Sequence, residues 1–525
     1  MSISIRLSVA GMLAAATLVA AIPAAAKEFR WAATTDPVTL DPHGTNTAPV
    51  LGFLNNVYEG LVRRNPDMEV EPALAERWEP IGDKGWRFFL RKGVTFHNGE
   101  DFTADDVIFS YERAASEDSD VRSWFAPVTA LNKVDDYTVE FMTSDPNPLF
   151  PGSIANWMIL DQGWASANGA ERPSREKGNY ATINANGTGA FKVESRAAGV
   201  KTVLVPFDGW WDKAEHNITR ATFTPITSAA TAVAALLSGE IDFFEPVPLQ
   251  DIPRLKATAG LKVVEGIESR VIFFGFEMEA DELRFTDVKG KNPFKDVRVR
   301  QAIYHAIDAE AIAAKIMRGN AKTTGLLIGP GINGYKPAED TRLAYDPEKA
   351  KALLADAGYP DGFSFGMRCP NDRYINDEAI CSAAVAMLSR IGLKVQLTAV
   401  PVRGYWNELR ADQFDMFLLG WSPGTFDAEH PMRFLLATPN NEKKLGSWNF
   451  GAYSNARIDE LLPQIQGEID PAKRQAMVDE VHSILKTDVP YVPLHIQPLV
   501  WATRSNIDLA QRNDNFFILR WVTIN

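Results

Sequence analysis

The sequence has few of the residues from which catalytic and metal centres are built. Its 525 residues include two cysteines and seven histidines, and no two histidines have the spacing of a zinc motif such as HExxH. It has no GxSxG nucleophile turn, no GxxxxGK(S/T) phosphate loop and no GxGxxG turn after a strand. We therefore expect no metal, no cofactor and no enzymatic activity, although the fold can bring distant carboxylates together without any trace in sequence spacing.

The chain also lacks an excess of positive charge and, beyond its first 26 residues, any long apolar run. Lys and Arg number 54 against 67 Asp and Glu, a net charge of -13, so the surface repels the phosphates of nucleic acids. No later stretch is long and apolar enough to insert into a membrane. With 46% hydrophobic and 23% charged residues, the composition is that of a soluble globular protein, and the length allows about three domains.

Residues 1–26 have the pattern of an export signal peptide. Arg6 carries the positive charge, an apolar run extends from Leu7 to Ile22, and three alanines ending at Ala26 form a small-residue cleavage site. A membrane anchor is the alternative, but the apolar run is shorter than the ~20 residues that a spanning helix needs, and Pro23 follows it. We expect cleavage near Ala26 and a mature protein that is free in an extracytoplasmic space.

Cys369 and Cys381 are the two cysteines. An exported chain meets an oxidising environment, and the eleven residues between them leave enough slack for a local disulfide between a strand end and the following helix. Two buried thiols are the alternative. Metal ligation is not favoured, because the cysteines do not form a close pair and no histidine lies nearby.

Apolar periodicity and capping residues predict alternating strands and helices. Residues 28–35 alternate as an edge-type strand that leads to a loop and a helix within 48–62, and Thr103 is a candidate N-cap with Asp105 and Asp106 in the first helical turn. Further strands are expected at 138–142, 201–207, 270–276 and 394–400, and helices at 228–240, 297–317, 346–358, 376–392, 455–468 and 471–488.

The order of these elements indicates an α/β protein. Helices that end in glycine and lead into strands, as in 346–369 and 376–400, are typical of mixed sheets flanked by helices. No repeat and no Pro/Gly/Ser linker separates domains, so the domains are expected to be closely joined. The 13 Trp, 12 Tyr and 29 Phe residues suit either a core or a cleft between domains that closes around a small ligand.

Residues 73–114 hold the most distinctive motif. The stretch ALAERWEPIGDKGWRFFLRKGVTFHNGEDFTADDVIFSYERA combines an acid-Arg-Trp group, a strand with alternating aromatic residues, F-x-N-G and T-A-x-D-V. Shorter motifs are GTGAFKV, LLSGEIDFF, NPFKDVRVRQAIYHAIDAE, LLADAGYPDGF, YSNARIDELL and DVPYVPLH. Together they resemble the periplasmic solute-binding proteins of oligopeptide, dipeptide and nickel ABC importers (extracellular solute-binding protein family 5), from about residue 28 to the C-terminus.

This resemblance implies a two-lobed periplasmic binding protein fold of type II, enlarged by an inserted domain. Domain I would comprise residues 27–58, 185–283 and 491–525, domain II residues 59–184, and domain III residues 284–490. Two chain crossings between domains I and III would form the hinge, which accounts for the missing linkers. Proteins of this family close on a solute and present it to a membrane permease, while other subunits hydrolyse ATP.

The resemblance also implies where a ligand would lie. Peptide-binding relatives hold the ligand backbone by strand-like hydrogen bonds from two segments, one in each lobe. These segments correspond to Asn46 through Ala48 and to Ser422 through Asp427, with Thr425 inside the second one. Such contacts to the main chain make binding independent of the ligand sequence.

Two side chains of the expected site follow from the same resemblance. Trp421 matches the cleft tryptophan that flanks the first residues of the ligand, with a place in the core as the alternative. Arg373 lies in the loop where relatives place a basic residue that meets the ligand carboxylate, with a solvated arginine as the alternative.

One position departs from the family pattern. In peptide-binding relatives an Asp three residues after the cleft tryptophan pairs with the ligand amine, and here that residue is Gly424. Because a buried ammonium without a counter-charge is costly, either Asp427 replaces the missing acid or the ligand has no free amino terminus there. A modified peptide, an opine-like or sugar-linked solute or another amphipathic metabolite fits the second case, and bare nickel is disfavoured because no histidine cluster is visible.

The sequence therefore predicts a monomeric solute-binding component of an ABC importer, which captures peptides or peptide-like solutes and delivers them unaltered to permease subunits. An exported hydrolase of peptides or glycans is the alternative, and a chaperone-like peptide holder is a third. Consumption of the solute would identify the hydrolase, and broad, weak binding would identify the holder.

Overall fold

The computed structural model describes residues 27–174 and 178–525, so the predicted signal peptide lies outside the described residues. The strands are β1 (Glu28–Ala33), β2 (Val62–Arg64), β3 (Val70–Pro72), β4 (Ala75–Ile81), β5 (Gly85–Leu90), β6 (Val128–Asp135), β7 (Thr138–Thr143), β8 (Phe191–Ala197), β9 (Lys201–Pro206), β10 (Arg220–Pro225), β11 (Phe243–Glu245), β12 (Leu261–Phe276), β13 (Lys322–Thr323), β14 (Ser364–Pro370), β15 (Lys394–Val400), β16 (Met416–Trp421), β17 (Tyr491–Arg504), β18 (Ile507–Asp508) and β19 (Thr523–Ile524).

The helices are α1 (Ala48–Leu54), α2 (Ala104–Ala115), α3 (Phe150–Ser153), α4 (Gln162–Ala167), α5 (Ala229–Ser238), α6 (Ile252–Lys256), α7 (Val297–Ala306), α8 (Ala309–Ala311), α9 (Pro347–Asp356), α10 (Asp377–Ser389), α11 (Val402–Arg410), α12 (Glu429–Pro431), α13 (Ala456–Gly467) and α14 (Pro471–Asp488). Within the described ranges, no helix is long and apolar enough to cross a membrane.

A large mixed sheet forms the centre of the protein. Its strands lie in the order β15-β14-β16-β12-β17-β11-β1-β10-β9-β8, and β13 pairs with β17. β14 is parallel to β15 and β16, and β1 is parallel to β10 and β11. Helices α5, α7, α9 and α10 share one cluster of buried apolar side chains with this sheet, including Leu236, Ile303, Leu354 and Leu388. The predicted α/β class, with mixed sheets flanked by helices, is confirmed.

Strand β1 lies inside the large sheet, so the prediction of an edge-type strand for residues 28–35 is wrong. Its neighbours are β10 on one side and β11 on the other. Phe29 and Trp31 are both buried, and their ring centroids lie 5.9 Å apart. The alternating pattern identifies the buried face of a strand, whereas its place in a sheet depends on partners far along the chain.

A smaller antiparallel sheet is built by the segment between β1 and β8. Its strands lie in the order β4-β5-β7-β6 around a core that includes Phe88 and Phe141, and α2 packs against it. As predicted, Thr103 caps α2 by accepting a hydrogen bond from the Asp105 N–H at 3.3 Å, and Asp106 accepts one from the Thr103 N–H at 2.9 Å. This capped helix covers the insert on one side.

Two long antiparallel strands, β12 and β17, carry the chain through the middle of the large sheet. Residues 261–267 of β12 pair with 498–504 of β17, and residues 271–275 pair with 491–496. Between these two ladders the register shifts, and residues 268–270 are left out of the pairing. On opposite sides of this break, β12 bonds to β16 and β17 bonds to β11.

Most predicted helices are present, and the differences have local causes. α13, α14 and β15 cover nearly the predicted spans. The predicted helix at 297–317 is interrupted after Ala306, because the Asp308 carboxylate caps a new turn by accepting a hydrogen bond from the Ala311 N–H at 2.8 Å. The helix expected within 48–62 ends at Leu54, where two asparagines follow.

The predicted disulfide is present. Cys369 at the end of β14 and Cys381 in α10 are bonded, with Cα atoms 6.5 Å apart, and both are fully buried. The bridge closes a loop that carries Arg373 and Tyr374. The Asp377 carboxylate holds this loop by accepting hydrogen bonds from both backbone N–H groups at 2.9 and 3.0 Å.

Candidate functional site

An open cavity of about 2130 Å³ lies between two parts of the chain. The loop after β1 and the start of α1 line one side, the segments after β16 line the other, and residues from the break in β12 lie between them. Its wall includes the aromatic residues Trp31, Phe53, Trp124, Phe223, Trp406, Trp421, Phe426, Phe434, Trp448, Phe516 and Phe517. A cavity of this size, with aromatic walls and a few charged groups, is suited to enclosing an organic solute.

Trp421 ends β16 and lines this cavity. It is half-buried, and its ring lies 5.6 Å from the rings of Phe434 and Trp448. The preceding residue, Gly420, cannot carry a side chain, because a Cβ there would come within 2.6 Å of the Tyr374 ring. The strand end therefore fixes the indole against its aromatic neighbours and leaves part of it exposed in the cavity.

The indole N–H of Trp421 donates to Nδ1 of His430 at 3.0 Å. His430 also lines the cavity, and burial, with Arg433 as a second cause, lowers its pKa to about 3, so the ring is neutral at physiological pH. Its Nε2 lies 3.3 Å from the point that a Cβ on Gly424 would occupy. The position at which the resemblance implies an acid is thus a glycine beside a neutral imidazole.

Asn46 and Ala48 lie on the other side of the cavity, where α1 begins. The Asn46 N–H already donates to the Asp120 carboxylate at 2.8 Å, so a ligand cannot use this donor without breaking that bond. Ala48 is the first residue of α1, and its N–H has no acceptor among the described residues. Of these two residues, Ala48 has the unused backbone donor.

Thr425, in the segment after Trp421, contacts the end of β2. Its carbonyl oxygen accepts a hydrogen bond from the Arg64 guanidinium at 3.0 Å, and that guanidinium lies 4.5 Å from the centroid of the Phe426 ring. Arg64 ends β2, outside the large sheet, and also donates to the Gly152 carbonyl at 3.2 Å. These contacts bind the segment after Trp421 to the inserted segment.

Asp427 is buried and lies outside the cavity wall. Its carboxylate accepts hydrogen bonds from Arg474 at 2.7 Å, from the Asn333 amide at 2.7 Å and from the Glu429 N–H at 2.8 Å. A ligand amine would have to displace Arg474 to reach it. This geometry argues against the predicted role of Asp427 as a replacement for the missing acid.

Arg373 lines the cavity from the loop that the disulfide closes. Its side chain is exposed, yet enough protein surrounds the guanidinium that burial, together with the neighbouring Arg270, lowers its pKa. The guanidinium lies 5.1 Å from the centroid of the Tyr374 ring, and no carboxylate in the described chain lies within 4.0 Å of it. A ligand carboxylate would offset the repulsion between the two arginines.

Sequence reasoning missed Glu245, His430 and Arg433, which all line the cavity. Glu245 ends β11, and its carboxylate accepts a hydrogen bond from the Asn515 amide at 3.4 Å but has no cation within 4.0 Å among the described residues. Burial, with the nearby Glu268 as a further cause, raises the pKa of Glu245 to about 7. The sequence signal that could have identified Glu245 is its position as an acidic residue at the end of an apolar strand, directly before Pro246.

Comparison with known proteins adds a family and a fold. The model of the family described as bacterial extracellular solute-binding proteins, family 5 Middle, matches residues 69–443. The glutathione-binding protein GsiB of Salmonella paratyphi A is 26% identical over 508 residues, and the match covers 94% of each chain.

Two solved structures resemble the whole described chain. HbpA2 from Haemophilus parasuis has a TM-score of 0.80 and 23% identity, and the match covers 95% of this chain and 100% of that one. The ABC transporter-associated periplasmic binding protein DppA from Helicobacter pylori, in complex with the peptide STSA, has a TM-score of 0.73 and 22% identity, with 95% and 98% coverage. These likenesses confirm the predicted periplasmic binding protein fold.

Proposed function

The chain belongs to the bacterial extracellular solute-binding proteins, family 5, since the family model covers well over half of its length, and we propose that it captures a peptide or peptide-like solute for an ABC importer. The observation that carries this proposal is the cavity beside Trp421, whose walls combine aromatic rings with Arg373 and Glu245, neither of which has an ion-pair partner within 4.0 Å among the described residues. Such a wall is suited to a solute that has apolar groups and both signs of charge. The glutathione-binding relative and the peptide complex of DppA are consistent with this class of solute.

The proposal includes an organisation of the chain into two lobes and an insert. Residues 27–58, 185–283 and 491–525 would form one lobe, residues 284–490 the other, and residues 59–184 the insert. The break between the two ladders of β12 and β17 supports a double crossing between the lobes. Rotation about this crossing would open and close the cavity.

The solute would lie between the two predicted segments. Ala48 would donate its backbone N–H and Asn46 would use its side chain, while the backbone around Thr425 would face them across the cavity. Trp421 would cover the apolar part of the solute. Arg373 would meet one of its acidic groups, because its guanidinium has no protein carboxylate within ion-pair distance in the described chain.

Solute transport by such a protein requires a cell compartment and a membrane permease. We propose that the exported chain works as a periplasmic monomer, with the signal peptide removed near Ala26, and that it hands the solute to permease subunits in the inner membrane. The solute would leave unaltered, because this chain contributes binding alone. The family consists of solute-binding proteins, so the hydrolase alternative receives no support from it.

Isothermal titration and thermal unfolding test the proposal directly. Glutathione, the dipeptide Met-Leu and tri-alanine are added to the purified chain, and at least one is expected to bind and to raise the melting temperature. A solute at 100 times its Kd stabilises the native state by about 2.7 kcal/mol. Arg373→Gln should weaken binding of the free acid, whereas the matched control Arg254→Gln, at an exposed site outside the cavity, should leave it unchanged.

The same samples separate the three functional classes. Mass spectrometry of the solute after incubation should recover it intact, and a cut product would establish the hydrolase instead. Similar weak affinities for all three solutes and for unrelated unfolded peptides would favour the chaperone-like holder. Native mass spectrometry of protein purified from its own periplasm should in addition reveal the natural solute, because tightly bound solutes copurify.

A further inference from the structure

The end of the cavity beside Trp421 presents hydrogen-bond donors. The indole N–H is a donor only, so Nδ1 of His430 accepts it and the single ring proton of the neutral imidazole sits on Nε2. That Nε2–H lies next to Gly424, at the edge of the cavity. A solute group placed over Gly424 therefore meets a donor, which calls for an acceptor atom.

The charged residues near this donor also favour an acceptor group of the solute. Arg433 lines the cavity, and no carboxylate among the described residues lies within 4.0 Å of its guanidinium. Glu429 also lines the cavity, but its carboxylate accepts a hydrogen bond from the Gln466 amide at 2.5 Å, and burial raises its pKa. Asp427 is paired with Arg474. Both acids therefore have arginines beside them: Arg433 and Arg474 favour the charged form of Glu429, and Arg474 pairs with Asp427.

A carboxylate without a counter-charge lies elsewhere in the same cavity. Glu245 ends β11, which is separated from β16 and Trp421 by the two strands β12 and β17. Asn515 holds one of its oxygens, at 3.4 Å. The neighbouring acid in the wall, Glu268, is already engaged by Arg270 and by the Gln497 amide at 2.5 Å. Unlike Glu268, Glu245 has no cation within 4.0 Å among the described residues, so a ligand cation would gain more at Glu245 than at Glu268.

We infer that the solute binds with an acceptor group, a carboxylate or acyl oxygen, against His430 and Arg433 beside Trp421, and with its amine against Glu245. This inference rests on the proposed function and assigns the polarity of the solute in that same cavity. It is opposite to the polarity that the resemblance implies for peptide-binding relatives, where the amine lies beside the cleft tryptophan.

Affinities of protein variants for chemically modified solutes test whether the solute amine contacts Glu245. Glutathione and tri-alanine are titrated as free-amine and N-acetylated forms into the native chain and into Glu245→Gln. Loss of a charge-assisted hydrogen bond weakens binding roughly tenfold or more. We expect that loss for the free-amine forms alone, and the matched variant Glu240→Gln, at an exposed position, should cause none. Equal losses for acetylated and free forms would overturn the inference.

Substitutions at Gly424 test the other end. The backbone there is outside the left-handed region, and the three atoms nearest to an added Cβ all belong to His430, at 3.3 Å or more, so Gly424→Asp and Gly424→Asn are a matched pair that differs in charge. We expect the Asp variant to bind the free-amine solutes several-fold more weakly than the Asn variant, because its carboxylate opposes the acceptor group of the solute. Tighter binding by the Asp variant would show that the amine lies beside Trp421 and would refute the inference.

The double test also separates this inference from the proposed function. If none of glutathione, Met-Leu and tri-alanine binds to the native chain, the proposed class of solute fails. If one of them binds and the couplings place its amine beside Gly424, the proposed function stands and the inferred polarity is wrong. In a third arm, Arg433→Gln should weaken the binding of the unmodified solutes. The same substitution should leave the affinity unchanged when the carboxylates of the solutes are amidated. An unchanged loss with the amidated solutes would contradict the acceptor assignment.

Discussion

Replacing Glu245 by Gln should make the solute-free protein more stable, and the gain should depend on pH. The pKa of Glu245 is raised from 4.5 to about 7, chiefly by burial. The folded state therefore binds a proton more tightly than the unfolded state. Above pH 7 the carboxylate is ionised in both states and its burial is an unrelieved cost, whereas below pH 4.5 it is protonated in both and the cost disappears.

The size of this effect follows from the two pKa values. One pKa unit corresponds to about 1.4 kcal/mol, so the step from 4.5 to about 7 is worth about 3 kcal/mol at pH 8 and less than about 1 kcal/mol at pH 5. Glutamine has the same length and keeps an oxygen that accepts the hydrogen bond from the Asn515 amide, so the substitution removes the charge with little change in packing.

Urea unfolding of the native chain and of Glu245→Gln at pH 8 and pH 5, without solute, measures both quantities. The variant should have the higher free energy of unfolding at pH 8, and the two curves should nearly coincide at pH 5. The exposed variant Glu240→Gln is the control and should show neither effect. A Glu245→Gln variant that is less stable at pH 8, or equally stabilised at both pH values, would refute the electrostatic reasoning.

Three further predictions concern Trp421, the contact between Arg64 and the segment after Trp421, and the disulfide. Trp421→Ala should weaken solute binding by about 2 kcal/mol or more, because a half-buried aromatic wall residue is lost, with little change in the melting temperature of the empty protein. Arg64→Met should weaken binding several-fold, since the hydrogen bond and ring contact to the segment after Trp421 disappear. Denatured, unreduced protein should contain no free thiols, and replacing Cys369 and Cys381 by Ser should lower the free energy of unfolding by about 3 kcal/mol.

Each of these has its own control. A large fall in melting temperature of the empty Trp421→Ala variant would assign this indole to the core instead. Arg254→Met, at an exposed position, should leave solute affinity unchanged, and equal effects of the two arginine variants would contradict the role of Arg64. Two reactive thiols per denatured chain would show that the cysteines are not bridged in solution.

Local signals predicted the elements whose determinants are local. Thr103 and Asp106 fix the start of α2 within one helical turn, and Asp470 caps the start of α14 by accepting hydrogen bonds from the N–H groups of Ala472 and Lys473. Strand β12 was predicted only from residue 270 onward, because Lys262, Glu265 and Gly266 interrupt the apolar pattern of its first half, whereas residues 271–276 are almost continuously apolar. Distance along the chain explains why β1 was misplaced at a sheet edge, since its partners β10 and β11 follow it by more than 180 residues.

The candidate site was predicted where a motif marked it and missed where geometry alone creates it. Trp421 and Arg373 were singled out by the family resemblance, and both line the cavity. No motif marks His430, because its place in the site depends on the hydrogen bond that it accepts from the Trp421 indole. Asp427 lies three residues after the position where the resemblance implies an acid, but in the folded chain its carboxylate pairs with Arg474. Spacing cannot reveal such pairings, because the partner comes from a distant helix.

In the proposed rotation of the lobes, the unpaired stretch in the middle of β12 would be both the bending point and a ligand contact. Rotating one side of the large sheet against the other would break few backbone hydrogen bonds there, since residues 268–270 are already outside the ladder. Glu268 and Arg270 of this stretch also line the cavity, as does Gln497 opposite them. A molecule that touches these side chains would therefore be in contact with the pivot itself, and its fit would act on the angle between the two lobes without any relay of intervening residues.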